Sequence, residues 1–421
     1  MGDARTTGTT GSTATTGTRA LRVGVIGIGQ RAEIAQHVGA TDTPARLVLA
    51  VDPTEVGRAR AARSFGPDVR IAAALEDAIE AELDAAIVTT PDDTHAAIAV
   101  PLLEAGIAVY LEKPMAITVE DCDRLLETAA RTGTPLYVGH NMRHMSVVRQ
   151  MKALIDDGAI GEVKSIWCRH FVGNGGDFYF KDWHAERRHV NSLLLQKASH
   201  DLDVMHWLAG RSTKRVTALG ALTVYGDVHD RGTHEGEVMP DWFSHDNWPP
   251  EAQTGLNPVI DVEDVSMMLM DLGDGVTASY EQCHFTPDYW RNYTVIGTRG
   301  RLENFGDTPG GVIRVWNRRH DWQLAGDVEV AIEGEGEGHE QADVRTMAEF
   351  LRHVATGAPT EVSLVAARDA VAAGALAAES LRDGGTPRDV PPLPADLVAR
   401  LDARSSSAPD SSSRTTPAPR S

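Results

Sequence analysis

The run Leu21-Arg22-Val23-Gly24-Val25-Ile26-Gly27 passes from a β-branched strand straight into Gly27-Ile28-Gly29-Gln30-Arg31-Ala32, and a helical pattern follows through Ala40. Few folds accept that order. The first glycine permits a tight turn, the second lets backbone approach a pyrophosphate, and a small third residue, here Ala32, allows the helix to pack close on the strand. The helix start then presents free amides and the positive end of its dipole to phosphate. Arg46-Leu47-Val48-Leu49-Ala50-Val51-Asp52 reads as a second buried strand ending in an acid at the spacing this motif needs. Taken alone, Asp52 suits helix capping before Pro53-Thr54 equally well. Beside the glycine loop, its carboxylate is placed to accept from both adenosine ribose hydroxyls and to repel a 2′-phosphate, which favours NAD and disfavours NADP.

The strand-helix rhythm continues. Asp84 to Pro91 is a strand ending in hydroxyls, and a helix is expected from about Asp93 to Glu104. The run Gly106-Ile107-Ala108-Val109-Tyr110 is a short buried strand that delivers Leu111-Glu112-Lys113-Pro114-Met115 to the sheet mouth. A helix over about Val119–Arg131 and a strand at Pro135–Val138 complete a doubly wound sheet. In such sheets ligands bind outside the carboxyl ends of the strands. Thr89, Thr90, Pro91, Glu112 and Lys113 therefore face the same crevice as Gly27, Ile28, Gly29, Gln30 and Arg31, and His95 points towards its edge.

A second, largely antiparallel sheet with helices on one face is expected beyond it. Strands read at about Glu162–Phe171, Arg215–Tyr225, Asp261–Asp271, Val276–Cys283, Tyr293–Thr298, Val312–Trp316 and Val328–Ile332. Helices close the chain at about Ala342–Thr356 and Val365–Arg382. The fold class is thus α/β: a Rossmann dinucleotide-binding domain over 19–141, then an α+β domain with a large open sheet over 142–403 for substrate binding and oligomerisation. Thr-, Gly-, Ser- and Pro-rich tails over 1–18 and 404–421 are expected to be disordered.

Within the second domain, Leu193 to Leu208 has helical periodicity and sets Gln196, Lys197, His200 and Asp203 on one face, a pattern that suits either a solvated stripe or a site. Gly173 to His184 is a glycine-rich loop laden with aromatics and charges, including Trp183 and His184, which suits either a cover for a sugar-like ring or an ordinary surface loop. From Gly226 to Pro258 runs an irregular insertion, expected to be a lid or subunit contact. Its His229, His234 and His245 match no standard ligand spacing, so no metal is expected.

Gly27-Ile28-Gly29, Asp52, Thr90-Pro91 and Glu112-Lys113-Pro114 together resemble the Gfo/Idh/MocA oxidoreductase family, named for glucose–fructose oxidoreductase and inositol dehydrogenase. Gly139-His140-Asn141-Met142-Arg143 is similar to that family's exit from the nucleotide domain, Ile155 to Val163 to its entry into the second domain, and Tyr293 to Glu303 to a hairpin of its C-terminal sheet. The resemblance implies a nicotinamide cofactor and a place for Asn141 beside it. It implies that His200, followed three residues later by Asp203, lies on the helix facing the nicotinamide, with His200 the leading acid/base group and Trp183 bordering the ring. One departure stands out: Gln196 occupies the position where inositol dehydrogenase-like members carry Asp, and Lys197 follows it.

The formal net charge of -20 over 421 residues argues against nucleic acid or an anionic membrane as partner. Cys122, Cys168 and Cys283 are scattered without a paired motif, which fits a reducing cytoplasm. No apolar run long enough to span a bilayer is present. Both parities of Val265-Ser266-Met267-Met268-Leu269-Met270 are apolar, so that strand wants cover on both faces and a homodimer or homotetramer is expected. The sequence therefore predicts an NAD-dependent oxidoreductase acting on a secondary alcohol of a sugar, cyclitol or related polyol. Catalysis is expected from Lys113 and His200, either of them able to be the base, with Asp203 and Lys197 in support and Trp183, His184 and Gln196 towards substrate. Alternatives are an NAD-dependent glycoside-cleaving enzyme that oxidises its sugar transiently, and a non-catalytic NAD sensor.

Overall fold

The computed structural model describes residues 19–334 and 339–405. The tail expected over 1–18, and that beyond Ser405, lie outside the described residues. Among the described residues the first sheet holds six parallel strands: β1 (Leu21–Ile26), β2 (Ala45–Val51), β3 (Arg70–Ala72), β4 (Ala85–Val88), β5 (Ala108–Leu111) and β6 (Leu136–Val138), in the order β3-β2-β1-β4-β5-β6. The order reverses between β1 and β4, and this switch point opens a crevice at their carboxyl ends. Every residue of β4 and β5 is buried, as the near-continuous apolar runs require when both faces of a parallel sheet are covered. Residues Gln30–Ala40 wind as tight 3-10 turns rather than a regular α-helix.

The second sheet has nine strands among the described residues: β7 (Val163–Phe171), β8 (Arg215–Ala221), β9 (Val265–Asp271), β10 (Thr277–Cys283), β11 (Trp290–Gly297), β12 (Gly300–Phe305), β13 (Val312–Trp316), β14 (Val328–Ala331) and β15 (Arg388–Asp389). Their order is β14-β13-β12-β11-β7-β10-β9-β8-β15, and β7 pairs with β10 in parallel while the other neighbours are antiparallel. The strands expected at Arg215 and Asp261 are shorter than the periodicity suggested, because the chain leaves the ladder at Ala221 and rejoins it only at Val265.

The closing helices return to the first sheet. Met347, Phe350 and Leu351, on the helix His339–Thr356, pack with Val23, Val25, Ile87, Tyr110 and Tyr137. On the opposite face, Ala367, Val371, Leu397 and Leu401 join Val109, Leu102 and Leu125. A parallel sheet must be covered on both sides, and these helices complete that cover.

One face of the second sheet packs on helices through Met268, Met270, Leu202 and Met205. Its other face carries Leu269 at 62% exposure, Leu219 at 60%, Met267 at 50% and Trp167 at 46%. Ladder register brings them together, with Leu219 opposite Met267 and both Leu269 and Trp167 opposite Ser279. No described helix is long and apolar enough to cross a membrane.

The helix Leu364–Arg382 approaches the segment Leu193–Gln196 so closely that a Cβ on Gly374 would stand 2.5 Å from the Leu194 carbonyl oxygen and 2.9 Å from Leu195 Cα. Alanine would gain about 1 kcal/mol of helix propensity, but the obstacle is backbone, and overpacking costs about 1–3 kcal/mol. Gly374→Ala should therefore lower the melting temperature by several degrees. A melting temperature equal to or above the native one would show that the two helices can part freely.

Candidate active site

Gly27 sits at φ +86°, and a Cβ there would meet Thr90 Cγ2 at 2.4 Å and the Thr90 backbone nitrogen at 2.8 Å, so glycine is required on both counts. The loop is held from below by Asp52. Its Oδ2 accepts from the Ile28 amide at 2.8 Å, and its Oδ1 accepts from the Thr54 amide at 2.8 Å and the Thr54 hydroxyl at 2.6 Å. The helix cap is Thr54, which accepts from Gly57, so Asp52 is not the cap. A carboxylate offers about four acceptor sites; three are used here, and capacity remains for a ribose hydroxyl. No heavy atom lies within 4 Å of the Cβ position on Gly29, which leaves open space before the loop at Gln30. These features fit the adenosine and diphosphate of a dinucleotide.

Around the same crevice Thr89 Oγ1 donates to the Gly27 carbonyl at 2.6 Å, and Thr90 Oγ1 accepts from Thr94 after the turn at Pro91. Arg31 bridges Glu112 (2.6 Å) and Asp343 (2.9 Å), and Asn141 Nδ2 donates to Asp343 at 2.7 Å. Residues expected from four separate stretches thus share one network, joined by an Asp343 that no sequence motif marks. His95 departs from expectation. It is fully buried, its ring nitrogens lie 2.8 Å from the Pro114 carbonyl and 3.0 Å from the Thr90 carbonyl, and burial lowers its pKa. It ties the Thr90 and Pro114 loops together and is shielded from solvent.

Lys113 reaches across to the second domain, where its Nζ donates to the Gln196 carbonyl at 3.1 Å. The single helix expected from Leu193 to Leu208 is in fact two, Leu193–Gln196 and Ala198–Ala209, broken at Lys197. Carbonyls at a helix end lack intrahelical donors, and the break leaves that of Gln196 to Lys113 and to Ser199 Oγ at 3.3 Å. Beyond it lies buried His200, its ring edge-on to His140 at 6.4 Å between centroids. The Lys197 ammonium stands 5.6 Å from the centre of the Tyr179 ring. Burial lowers the pKa of Lys113 against the fields of Asp92 and Glu112. Burial, helped by Arg291 and Lys113, brings Lys197 down to about 7.

Asp203 does not join this group. Both of its oxygens accept from Arg143, at 2.7 Å each, and the buried pair is braced by Trp207 beneath the guanidinium. It holds the helix in place, and its field reaches His140. Trp183 and His184 stack on each other at 3.7 Å, and His184 Nδ1 lies 2.6 Å from Asp182. Their segment is not a free loop: Gly175–Tyr179 is helical, and Asp177 is paired with Lys181 at 3.0 Å and receives Asn247 at 2.7 Å and Gln253 at 3.2 Å from the insertion. The insertion also touches the nucleotide loop side. Arg60 donates to both the Ile28 and Gly236 carbonyls, and Val238 and Pro240 line a cleft with Ile28, Gly29 and Gln30.

Sequence reasoning missed three groups here. Asp92, directly after Pro91, is buried, has one oxygen without a hydrogen-bond partner among the described residues, and is raised to about 7 by burial against the fields of Lys113 and His184. His140 is buried with neither ring nitrogen hydrogen-bonded among the described residues, and its pKa is lowered by burial. Asp201 lies under the crevice, 3.1 Å from both Arg291 and His170 and bonded to Tyr280 and Tyr293. Each lies one residue from a position already singled out, Asp92 after Thr90-Pro91, His140 before Asn141 and Asp201 after His200, and that adjacency was the signal available.

Comparison with known proteins identifies the family and the fold. A model described as the oxidoreductase family, NAD-binding Rossmann fold, matches residues 21–140, and one for the GFO/IDH/MocA C-terminal domain matches residues 148–303. The chain is 29% identical over 258 residues to a Bacillus subtilis (strain 168) protein named as an oxidoreductase, YteT, covering 52% of this chain and 60% of that one. It is 28% identical over 217 residues to an inositol 2-dehydrogenase of Rhizobium meliloti (strain 1021), covering 51% and 63%. The match thus spans less than two thirds of either relative's length. A levoglucosan dehydrogenase, solved with NADH and levoglucosan, superposes with a TM-score of 0.73 at 20% identity, covering 89% of this chain and all of that one, a likeness of fold.

The Arg143–Asp203 pair makes a prediction with a defined sign. Burial opposes ionisation of Asp203, but Arg143 outweighs it and holds the carboxyl below its ordinary 3.8. A depressed carboxylate stabilises the fold above its unfolded value and loses that contribution as pH falls through the folded one. Asp203→Asn should cost about 3–5 kcal/mol at neutral pH, and the gap to the native protein should narrow below pH 3.8. Thermal melts across that range check it, and a gap independent of pH would contradict it.

Proposed function

The chain belongs to the Gfo/Idh/MocA oxidoreductase family, and from that premise we propose that it is an NAD-dependent dehydrogenase acting on a secondary alcohol of a sugar, cyclitol or related polyol. The observation that carries this reading is the convergence of Lys113, from the mouth of the parallel sheet, on the Gln196 carbonyl one helical turn before His200. Buried polar atoms support a hydroxyl-rich ligand: Gln196 Oε1 and both ring nitrogens of His140 have no hydrogen-bond partner among the described residues, and such groups are costly unless a ligand meets them. The names of an inositol 2-dehydrogenase and a levoglucosan dehydrogenase among the matches point the same way.

When bound, NAD supplies the hydride acceptor. The carbinol can release its hydride only as its hydroxyl loses a proton, so a base must stand within hydrogen-bond reach of that oxygen. His200 takes the proton, while Lys113, oriented by the Gln196 carbonyl, directs the hydroxyl and offsets the charge that develops on oxygen. A second reading exchanges these roles, and the lowered pKa of buried Lys113 favours it, because a neutral amine can accept the proton itself. Thr89, Glu112, Arg31 and Asn141 hold the crevice loops at the cofactor edge.

The test is a panel of polyols and sugars with NAD, read by absorbance of the reduced nicotinamide. Accumulation with ketone product supports a dehydrogenase, whereas bond cleavage without accumulation indicates the glycoside-cleaving alternative. On the substrate so found, Lys113→Ala and His200→Ala should each lower turnover by about 10² to 10⁴ and leave NAD affinity within about threefold. Near-native turnover in both variants would refute the assignment. Loss in Lys113→Ala alone would make the lysine the base.

Asp52 sets the cofactor. NAD should bind at least about tenfold more tightly than NADP, and Asp52→Ala should narrow the gap; equal affinities in native protein by calorimetry would contradict this. The exposed Leu219, Met267, Leu269 and Trp167 face is proposed to be covered by a second copy of the chain. Light scattering should report a dimer or tetramer at micromolar concentration, and Leu269→Asp should shift it towards monomer. A native monomer would exclude the proposal.

A further inference from the structure

Charge in and around the crevice is matched almost everywhere. Arg31 meets Glu112 and Asp343, Arg143 meets Asp203, Lys181 meets Asp177, and Arg291 meets Asp201. Asp92, Lys113 and Lys197 depart from this among the described residues, and of the two lysines Lys113 has an acceptor in the Gln196 carbonyl while Lys197 has none. No carboxylate of the described residues lies within salt-bridge distance of its ammonium, whose contact is the face of Tyr179 at 5.6 Å. The two carboxylates whose fields reach it, Asp201 and Asp307, already accept from other groups: Asp201 from Arg291, Tyr280 and Tyr293, and Asp307 from Tyr289 with Arg291 at 3.7 Å. The fields of two further cations, Arg291 and Lys113, act on it as well.

We infer that the substrate carries a carboxylate group and that Lys197 receives it. This deepens the dehydrogenase reading by naming the substrate class of that site. A neutral polyol closing over a half-buried, unmatched ammonium strips water from it and returns only neutral hydroxyl acceptors, which leaves the charge without a counter-charge, a costly arrangement. A carboxylate returns a charge-assisted hydrogen bond in the same place. Tyr179 and His184, whose rings meet edge to face at 5.6 Å, continue from Lys197 towards Trp183, giving the carbon skeleton an aromatic surface beside the charged end. A carboxylate suits the site better than a phosphate dianion, because Lys197 offers one point charge, with the neighbouring Lys113 held by the Gln196 carbonyl and Arg291 paired with Asp201.

The experiment is calorimetric titration of matched probes into the full chain loaded with NADH: D-gluconate against D-glucitol, and D-glucuronate against D-glucose. At least one acid should bind at least about tenfold more tightly than its neutral partner. That ratio should fall to within about twofold in Lys197→Met and return in Lys197→Arg. Neutral partners binding as well as the acids, or an acid preference that survives Lys197→Met, would overturn the inference. A phosphorylated hexose preferred over both would overturn the choice of carboxylate. Failure here is distinct from failure of the dehydrogenase reading. Reduction of NAD by neutral polyols without acid preference leaves that reading standing and removes this one, while acid binding without any hydride transfer does the reverse.

Discussion

The hydrogen bond from Lys113 Nζ to the Gln196 carbonyl joins two halves of the chain that are otherwise built on different rules. On one side is a parallel sheet whose switch point exposes the ends of β1, β4 and β5. On the other is a helix interrupted at Lys197, on a face of an open, mostly antiparallel sheet. The bond requires both: a lysine at the mouth of the first, and a carbonyl released from helical pairing in the second. It also explains how Lys113 can be partly buried, since an ammonium or amine in that position needs an acceptor to offset lost hydration.

Around that bond the protein separates charges that hold structure from charges left for chemistry. Arg143 and Asp203 satisfy each other, as do Arg291 and Asp201, and burial makes these pairs costly to break but inert towards a ligand. Asp92, Lys113 and Lys197 differ. Asp92 is buried and the two lysines partly so, none has an ion-pair partner within salt-bridge distance among the described residues, and each is moved towards its neutral form. Perturbed groups clustered in a crevice are where acid–base work is expected. The insertion bridges Asp177 and the Ile28 side of the crevice, so the cofactor loop and the aromatic wall are mechanically linked through one irregular segment.

Much of this was legible in the chain because it follows from local rules. The glycine loop, Asp52 and the β-branched strands each carry their signal within a few residues, and the two-sheet architecture follows from where periodicity changes. The break at Lys197 was not legible, since apolar spacing continues unchanged across a one-residue interruption. His95 reads as a helix-start polar residue, and only the closeness of the Thr90 and Pro114 carbonyls shows it to be a bracket. Asp203 looked catalytic because Arg143, its partner, is 60 residues away in sequence. The return of Phe350 and Leu397 to the first sheet is likewise a matter of topology, which helix propensity cannot express.

The central claim is that Lys113 and His200, carried by different sheets, serve one reacting oxygen. A crystal structure of the protein with NADH and a turned-over polyol tests it most directly. The account predicts the nicotinamide ring in the crevice at the ends of β4 and β5, with one substrate oxygen within hydrogen-bond reach of both Lys113 Nζ and the His200 imidazole. A nicotinamide held elsewhere, or a substrate carbinol that meets neither side chain, would contradict it.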